Sequence, residues 1–215
     1  MKVQYVFASF VAFLLLAADK PREHRWSFED AQTGTLPKGW TRVKTGKGPG
    51  SVWKVVEDQS APKGSKVLAQ TSSEGPNRLF NLCVADKTSF KDLELTVSFK
   101  ADTGKLDQGG GPVWRYQDAN NYYICRHNPL EDNFRVYKVI AGKRIQLASA
   151  DVKADAGKWH KIRVAMRGDK IVCTINDLQL DVRDASITKA GKIGLWTKAD
   201  AVTNFDDLSV SVREK

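Results

Sequence analysis

Three arginines, Arg115, Arg126 and Arg135, fall within the stretch GGGPVWRYQDANNYYICRHNPLEDNFRVYK at residues 109–138. A guanidinium is a planar fork of donors suited to sugar hydroxyls or an anionic oxygen, and a tyrosine ring packs against the C–H face of a sugar. If residues 118–121 and 128–133 close two hairpins, one face of the resulting strands carries Arg115, Gln117, Tyr122, Arg126, Arg135 and Tyr137. The other carries Trp114, Tyr116, Tyr123, Cys125, Phe134 and Val136, a core-like set. Like charges opposite one another on paired strands repel, so the arginine face needs carboxylates, solvent or a ligand. Glu131 and Asp132 in the adjoining loop are the nearest acids, and a salt-bridge network with arginine stems on the tyrosines is the plainer alternative to a sugar-binding face. Trp196, in GKIGLWTKAD, is a candidate sugar-stacking wall or a core residue. His160 reads as a core histidine beside Ile162.

The elements that must hold these residues are strands. Leu93, Leu95, Val97 and Phe99 alternate with Glu94, Thr96, Ser98 and Lys100, as a half-buried antiparallel strand requires. HKIRVAM and KIVCTIN repeat the pattern, and turn clusters such as GKGPG, ADTGK, IAGKR and RGDK separate the runs. No long helical period occurs. The expected fold class is all-β, an antiparallel two-sheet jelly-roll sandwich. In such sandwiches the first and last strands lie side by side, which would bring Glu29 and Asp30 to Asp206 and Asp207. Glu29, Asp30 and Asp206 are therefore the candidate ligands of a structural calcium ion, with carboxylates that merely cap turns as the alternative.

The chain has 215 residues, enough for one substantial core. Residues 1–18 combine a basic start, an apolar run from Val6 to Leu16 and small residues, the pattern of a secretory signal peptide. The apolar run is shorter than the roughly 20 residues needed to span a bilayer. A secreted or periplasmic product is expected, with residues 19–215 as a single β-sandwich domain and no membrane span after cleavage. The formal charge of +9 becomes +8 once Lys2 is removed with the leader. The lysines are scattered through turns, with no basic helix or nucleic-acid motif, so a solvated basic surface is expected rather than a nucleic-acid partner. Cys83, Cys125 and Cys173 show no CxxC spacing and lie in apolar runs, as buried free thiols would.

With those residues in view, the sequence resembles the secreted 3-keto-disaccharide hydrolases, also described as 3-keto-glucoside lyases and 3-keto-2-hydroxy-glucal hydratases, within the concanavalin A-like lectin and glucanase group. GGPVWRYQDANNYYICRHNPLEDNFRVYK is similar to that family's central hairpins, and GKWHKIRVAMRGDKIVCTIND and GKIGLWTKADAVTNFDDLSV to strand pairs shared by the wider group. Asp206 resembles the calcium-binding aspartate in the last strand of related glucanases. The resemblance implies an oligosaccharide or 3-keto-glucoside partner and elimination or addition at C1–C2. A carbonyl at C3 acidifies the C2 proton, so such chemistry needs a base at C2 and a positive group at the enolate oxygen. Glu131 and His127 are the candidate bases and Arg126 or Arg135 the candidate enolate stabiliser, with a structural role as the alternative for His127. A retaining glucanase would need two closely spaced catalytic carboxylates, and no ExDxE or ExDxxE pattern occurs. A carbohydrate-binding module without catalysis and a laminin-G-like adhesion domain remain as alternatives.

Overall fold

A computed structural model describes residues 22–212. The expected leader at residues 1–18 lies outside them. Fifteen strands and no helix make up the described residues. In chain order they are β1 (Arg22–Trp26), β2 (Trp40–Thr45), β3 (Trp53–Glu57), β4 (Lys66–Gln70), β5 (Phe80–Ala85), β6 (Leu93–Thr103), β7 (Gly110–Asp118), β8 (Asn121–Asn128), β9 (Asn133–Ile140), β10 (Lys143–Asp151), β11 (Trp159–Arg167), β12 (Lys170–Ile175), β13 (Leu178–Arg183), β14 (Lys192–Lys198) and β15 (Val202–Val212). One sheet runs β13-β12-β11-β6-β15-β4-β3, with β1 also paired to β15, and the other runs β10-β9-β8-β7-β14-β5-β2. Every strand pairing is antiparallel, so the expected two-sheet sandwich is present. The first and last strands do lie side by side, with Trp26 opposite Leu208.

The alternation read in the sequence builds the core between the sheets. Leu93, Leu95, Val97 and Phe99 of β6, Ile162, Val164 and Met166 of β11, and Ile171, Cys173 and Ile175 of β12 face Trp114, Tyr123, Cys125, Phe134 and Val136 of the other sheet. Trp53 stacks on Phe205 and Trp114 on Tyr123, and the Trp114 indole N–H donates to Met166 Sδ at 3.0 Å. Full burial of each such side chain is worth about 1.5–3 kcal/mol, which fixes the register of both sheets against slippage. All three cysteines are buried and free, and burial pushes the Cys83 and Cys125 thiols up. Because the thiolate is the reactive form, none of the three is expected to react with a thiol reagent in the native protein at neutral pH, and all three after denaturation. A native thiol titrating at the rate of free cysteine would contradict this packing.

A second apolar cluster lies on the opposite face of the seven-stranded sheet. It comprises Phe80, Leu82, Val84, Val113, Tyr122, Ile124, Tyr137, Val139 and Trp196. The sheet curls over this face. The Tyr122 hydroxyl on β8 lies 2.8 Å from Thr45 Oγ1 on β2, and the Arg144 guanidinium on β10 lies 5.2 Å from the Phe80 ring centroid on β5. The first contact joins strands four positions apart in the sheet order and the second joins strands five apart. The face expected to be polar and open is therefore largely a second core with a polar rim.

Candidate functional site

The β8–β9 pairing places the rim. Arg126 is opposite Arg135, Ile124 opposite Tyr137 and His127 opposite Phe134, the register that a 128–133 loop predicts. Arg126, Arg135 and Tyr137 accordingly share the curled face. The β7–β8 hairpin departs from expectation. Asp118 pairs with Asn121 around a two-residue turn, but the register shifts by two before Trp114 meets Tyr123. The extra residues bulge out, and Arg115 takes a left-handed φ of 45° within the bulge.

That bulge removes Arg115 from the face. The side chain is 1% exposed, and its guanidinium donates to Lys91 O (2.7 Å), Ile187 O (2.6 Å) and Gly168 O (2.8 Å), with Asp92 at 3.3 Å. Arg115 is a structural clamp across three loops, which corrects the expectation of a sugar ligand. Tyr116 is displaced with it and stacks on Tyr122 instead of entering the core between the sheets. Gln117 sits near the end of β7, donating to Arg115 O and Ala190 O. Tyr122 and Trp196 are fully buried in the second apolar cluster and present no ring face to a ligand, which corrects their assignment as direct sugar contacts. His127 points between the sheets, with Nε2 2.9 Å from Val152 O and its ring tilted against Phe99. Burial first, and the nearby cations after it, lower its pKa, and it does not join Glu131 as a base.

What the fold does bring together is Arg126, Glu131, Arg135 and Tyr137, joined by four residues that strand alternation alone did not single out: Asn133, Arg144, Asp107 and Lys198. Glu131 Oε2 accepts from Arg126 Nη2 (2.9 Å), Arg135 Nη1 (3.1 Å) and Asn133 Nδ2 (3.0 Å). Arg126 Nη1 also donates to the Asn133 side-chain and main-chain oxygens, and Nη2 reaches the Tyr137 hydroxyl at 3.4 Å. The Glu131 carboxylate is 43% exposed while Arg126 is 1% exposed, so the pair runs from solvent into the sheet. Burial would raise the Glu131 pKa, but the Asn133 hydrogen bond and the charges of Arg126 and Arg135 outweigh it and hold the carboxyl below its usual range. Beside it, buried Asp107 accepts from Lys198 Nζ at 2.7 Å and Asn128 Nδ2 at 3.3 Å, and burial pushes its pKa up despite Lys198. Arg144 lies 4.5 Å over the Tyr137 ring and 5.8 Å from the Trp196 ring. Two residues of β9–β10 spacing carried a signal for it: the Ala141-Gly142 turn pairs Arg144 with Val139, on the Tyr137 face.

Glycines let β7 approach β8 beneath Arg126. A Cβ on Gly111 would fall 2.1 Å from Cys125 O and 3.2 Å from Arg126 Cα. Gly109 has a φ of 80°, and a Cβ there would fall 2.3 Å from His127 O. Surface depressions of about 310 to 480 Å³ occur elsewhere, beside Trp26 and Trp40 and on the outer face of the eight-stranded sheet around Lys161 and Arg163. The Arg126–Glu131 cluster lies apart from these depressions and runs from a solvent-exposed carboxylate to a buried guanidinium.

At the termini, Glu29 and Asp206 approach the same loop. Glu29 Oε1 accepts from Ser65 N and Lys66 N, and Asp206 Oδ2 from Lys63 N at 2.9 Å. Asp206 Oδ1 is buried without a partner among the described residues, and burial raises the Asp206 pKa to about 6, with the charges of Asp207 and Glu29 adding to the effect. Asp30 is exposed, and no group of three potential metal-ligating side chains forms among the described residues, which corrects the three-carboxylate set.

Two antiparallel sheets with an arginine–carboxylate rim on one face define a β-sandwich. Residues 28–211 match the 3-keto-alpha-glucoside-1,2-lyase-like domain, and the chain belongs to that family. Among solved structures it is similar to the carbohydrate-binding module CBM66 from Bacillus subtilis, at 18% identity and a TM-score of 0.64 over 81% of this chain and 96% of that one. It is also similar to domain 4 of AbnA, an extracellular GH43 arabinanase from Geobacillus stearothermophilus solved with arabinotriose, at 10% identity and a TM-score of 0.56 over 90% and 93% of the two chains. Likeness at these identities extends to the fold. No curated protein matches the chain. No helix among the described residues is long and apolar enough to cross a membrane.

Proposed function

We propose that this is a secreted carbohydrate-active domain that eliminates the C1 substituent of 3-keto-glucosides at the Arg126–Glu131 rim. The observation that carries the reading is the state of Glu131. Three donors hold Oε2, while Oε1 has no hydrogen-bond partner among the described residues and the carboxylate reaches solvent. A carboxylate fixed by one oxygen and free at the other is arranged to take a proton from C2 of a 3-keto sugar. The electrons of that C–H bond form the C2–C3 enolate, which the neighbouring guanidiniums stabilise. Its collapse expels the C1 oxygen, leaving a 2-hydroxy-3-keto-glucal and, after protonation, the released sugar or alcohol. The lowered pKa keeps Glu131 ionised but makes it a modest base, which suits an already acidified C–H bond.

Incubation with 3-keto-sucrose or 3-keto-trehalose, following release of the second sugar, tests the assignment. Glu131→Gln is expected to reduce turnover about 100-fold or more while retaining most of the binding, the loss typical of a general base. Binding of these sugars without release by the wild type would instead make the domain a carbohydrate-binding module. The burial of Arg126 beneath Glu131, which leaves the carboxylate as the part of the pair open to solvent, supports that second reading.

Under the same proposal a calcium ion belongs on the other sheet, at Asp206 of β15. The buried, unpartnered Asp206 Oδ1 beside Glu29 suits a hard cation that prefers oxygen ligands. Asp206 and Glu29 would hold the ion, and its contribution would be structural, tying β15 to the 63–66 loop.

A further inference from the structure

Arg144 and Arg126 leave donors unused on the same face. Among the described residues no carboxylate lies within ion-pair distance of Arg144, and its Nη1 is buried without an acceptor. Its guanidinium lies instead over the Tyr137, Phe80 and Trp196 rings. Arg126, although fully buried, likewise has an Nε with no acceptor. Both guanidiniums approach the Tyr137 ring, at 4.5 Å and 5.8 Å from its centroid. The local anions are already committed, Glu131 to Arg126 and Arg135, and Asp107 to Lys198. Asp151 acts on Arg135 only through space. Arg126, Arg135, Arg144 and Lys198 therefore outnumber Glu131 and Asp107, and the surplus charge resides on the arginine without a carboxylate partner.

A buried cationic donor without an acceptor is costly to keep, and the fold keeps two side by side. We infer that Arg144, with the charge of Arg126 beside it, receives an anionic substituent of the bound sugar, so that a glycoside bearing a carboxylate or a sulfate is preferred over its neutral counterpart. The inference rests on reading this face as a carbohydrate site. Guanidinium suits the role because its fork matches the two oxygens of a carboxylate, or two of a sulfate. In a hexuronate the carboxylate sits on C5, on the side of the ring away from C2. One sugar residue thus offers separate partners to Arg144 and to Glu131.

Calorimetric titration of the full chain with a glucuronate-terminated disaccharide, its neutral glucose counterpart and the 6-sulfated glucose form tests this. The anionic sugars are expected to bind about 10-fold or more tightly than the neutral one, with the preference shrinking as salt is raised. The better of the two anionic arms identifies carboxylate or sulfate as the group recognised. Arg144→Gln should bring all three sugars to within about 2-fold of one another, and Arg144→Lys, which keeps the charge without the fork, should fall between. Arg163→Gln, on the other sheet, should leave the preference intact. Equal binding of neutral and anionic sugars by the wild type overturns the inference but leaves the carbohydrate site standing. An equal loss of preference in Arg163→Gln would also overturn it, reducing the effect to general basic charge. Failure of every sugar to bind would remove both readings.

Discussion

Arg115→Ala is expected to destabilise the fold by about 3–5 kcal/mol, the largest single-residue effect anticipated outside the apolar core. The guanidinium satisfies the carbonyls of Lys91, Ile187 and Gly168 and lies 3.3 Å from Asp92, at a position 1% exposed to solvent. Deleting it leaves buried acceptors without donors, each costing about 1–3 kcal/mol, and opens a cavity as large as the side chain. Burial lowers the Arg115 pKa despite the countercharge of Asp92, but an arginine so far from neutral pH stays charged in both states and adds no pH dependence in the physiological range. Arg115→Lys is expected to recover little, because an ammonium cannot serve divergent acceptors in the plane of a guanidinium. Urea denaturation of the two variants measures this, and a loss below about 1 kcal/mol for alanine would show that the clamp contributes little. The contrast with Arg144 is instructive. Arg144 has no protein acceptor for its buried Nη1, so Arg144→Gln should leave stability near wild type where Arg115→Ala does not.

The sandwich was legible because its determinants are local. Alternation along β6, β11 and β12 names the inward residues without knowledge of their partners, and the side-by-side termini follow from the sandwich class. The β8–β9 register was legible for the same reason, since the loop length alone fixes Arg126 opposite Arg135. Arg115 was not. Its bulge answers to carbonyls supplied by residues 91, 168 and 187, far away in sequence, and nothing in QDANN announces them. Tyr122 and Trp196 were misplaced because burial on that face depends on the curl of seven strands, a property of the whole sheet. A sign was nevertheless present. Val113, Ile124 and Val139 alternate onto the same face as the tyrosines, and three aliphatic residues there mean a covered surface and not an open polar one. His127 followed its alternation into the space between the sheets, as its position opposite Phe134 required.

Asp206 is expected to give the stability of this protein an unusual acid dependence that calcium reverses. Its carboxyl is fully buried, with Oδ1 unpartnered, and its pKa in the folded state is about 6 against an ordinary 3.8. The folded state therefore holds the proton more tightly than the unfolded chain between about pH 4 and pH 6. The contribution to stability is fully present below the ordinary pKa and is lost as pH rises through 6, amounting to about 3 kcal/mol at most. Other carboxylates act in the opposite sense. Asp58 is held near 2, where the Lys100 and Ser60 hydrogen bonds overcome the effect of burial, and Asp184 is held near 2 against burial by Lys138 and Tyr123. The informative quantity is thus the difference between wild type and Asp206→Asn, measured in chelator from pH 4 to pH 8. The asparagine variant should be the more stable of the two at pH 7 and lose that advantage toward pH 4. Adding calcium at pH 7 should raise the melting temperature of the wild type, because an ion bound only by the folded state stabilises it by mass action, and should leave Asp206→Asn unmoved. A calcium-independent wild type would remove the ion from this site while leaving the acid dependence in place. A wild type and variant with parallel pH profiles would mean that the Asp206 carboxylate finds, in solution, a partner that neutralises its burial.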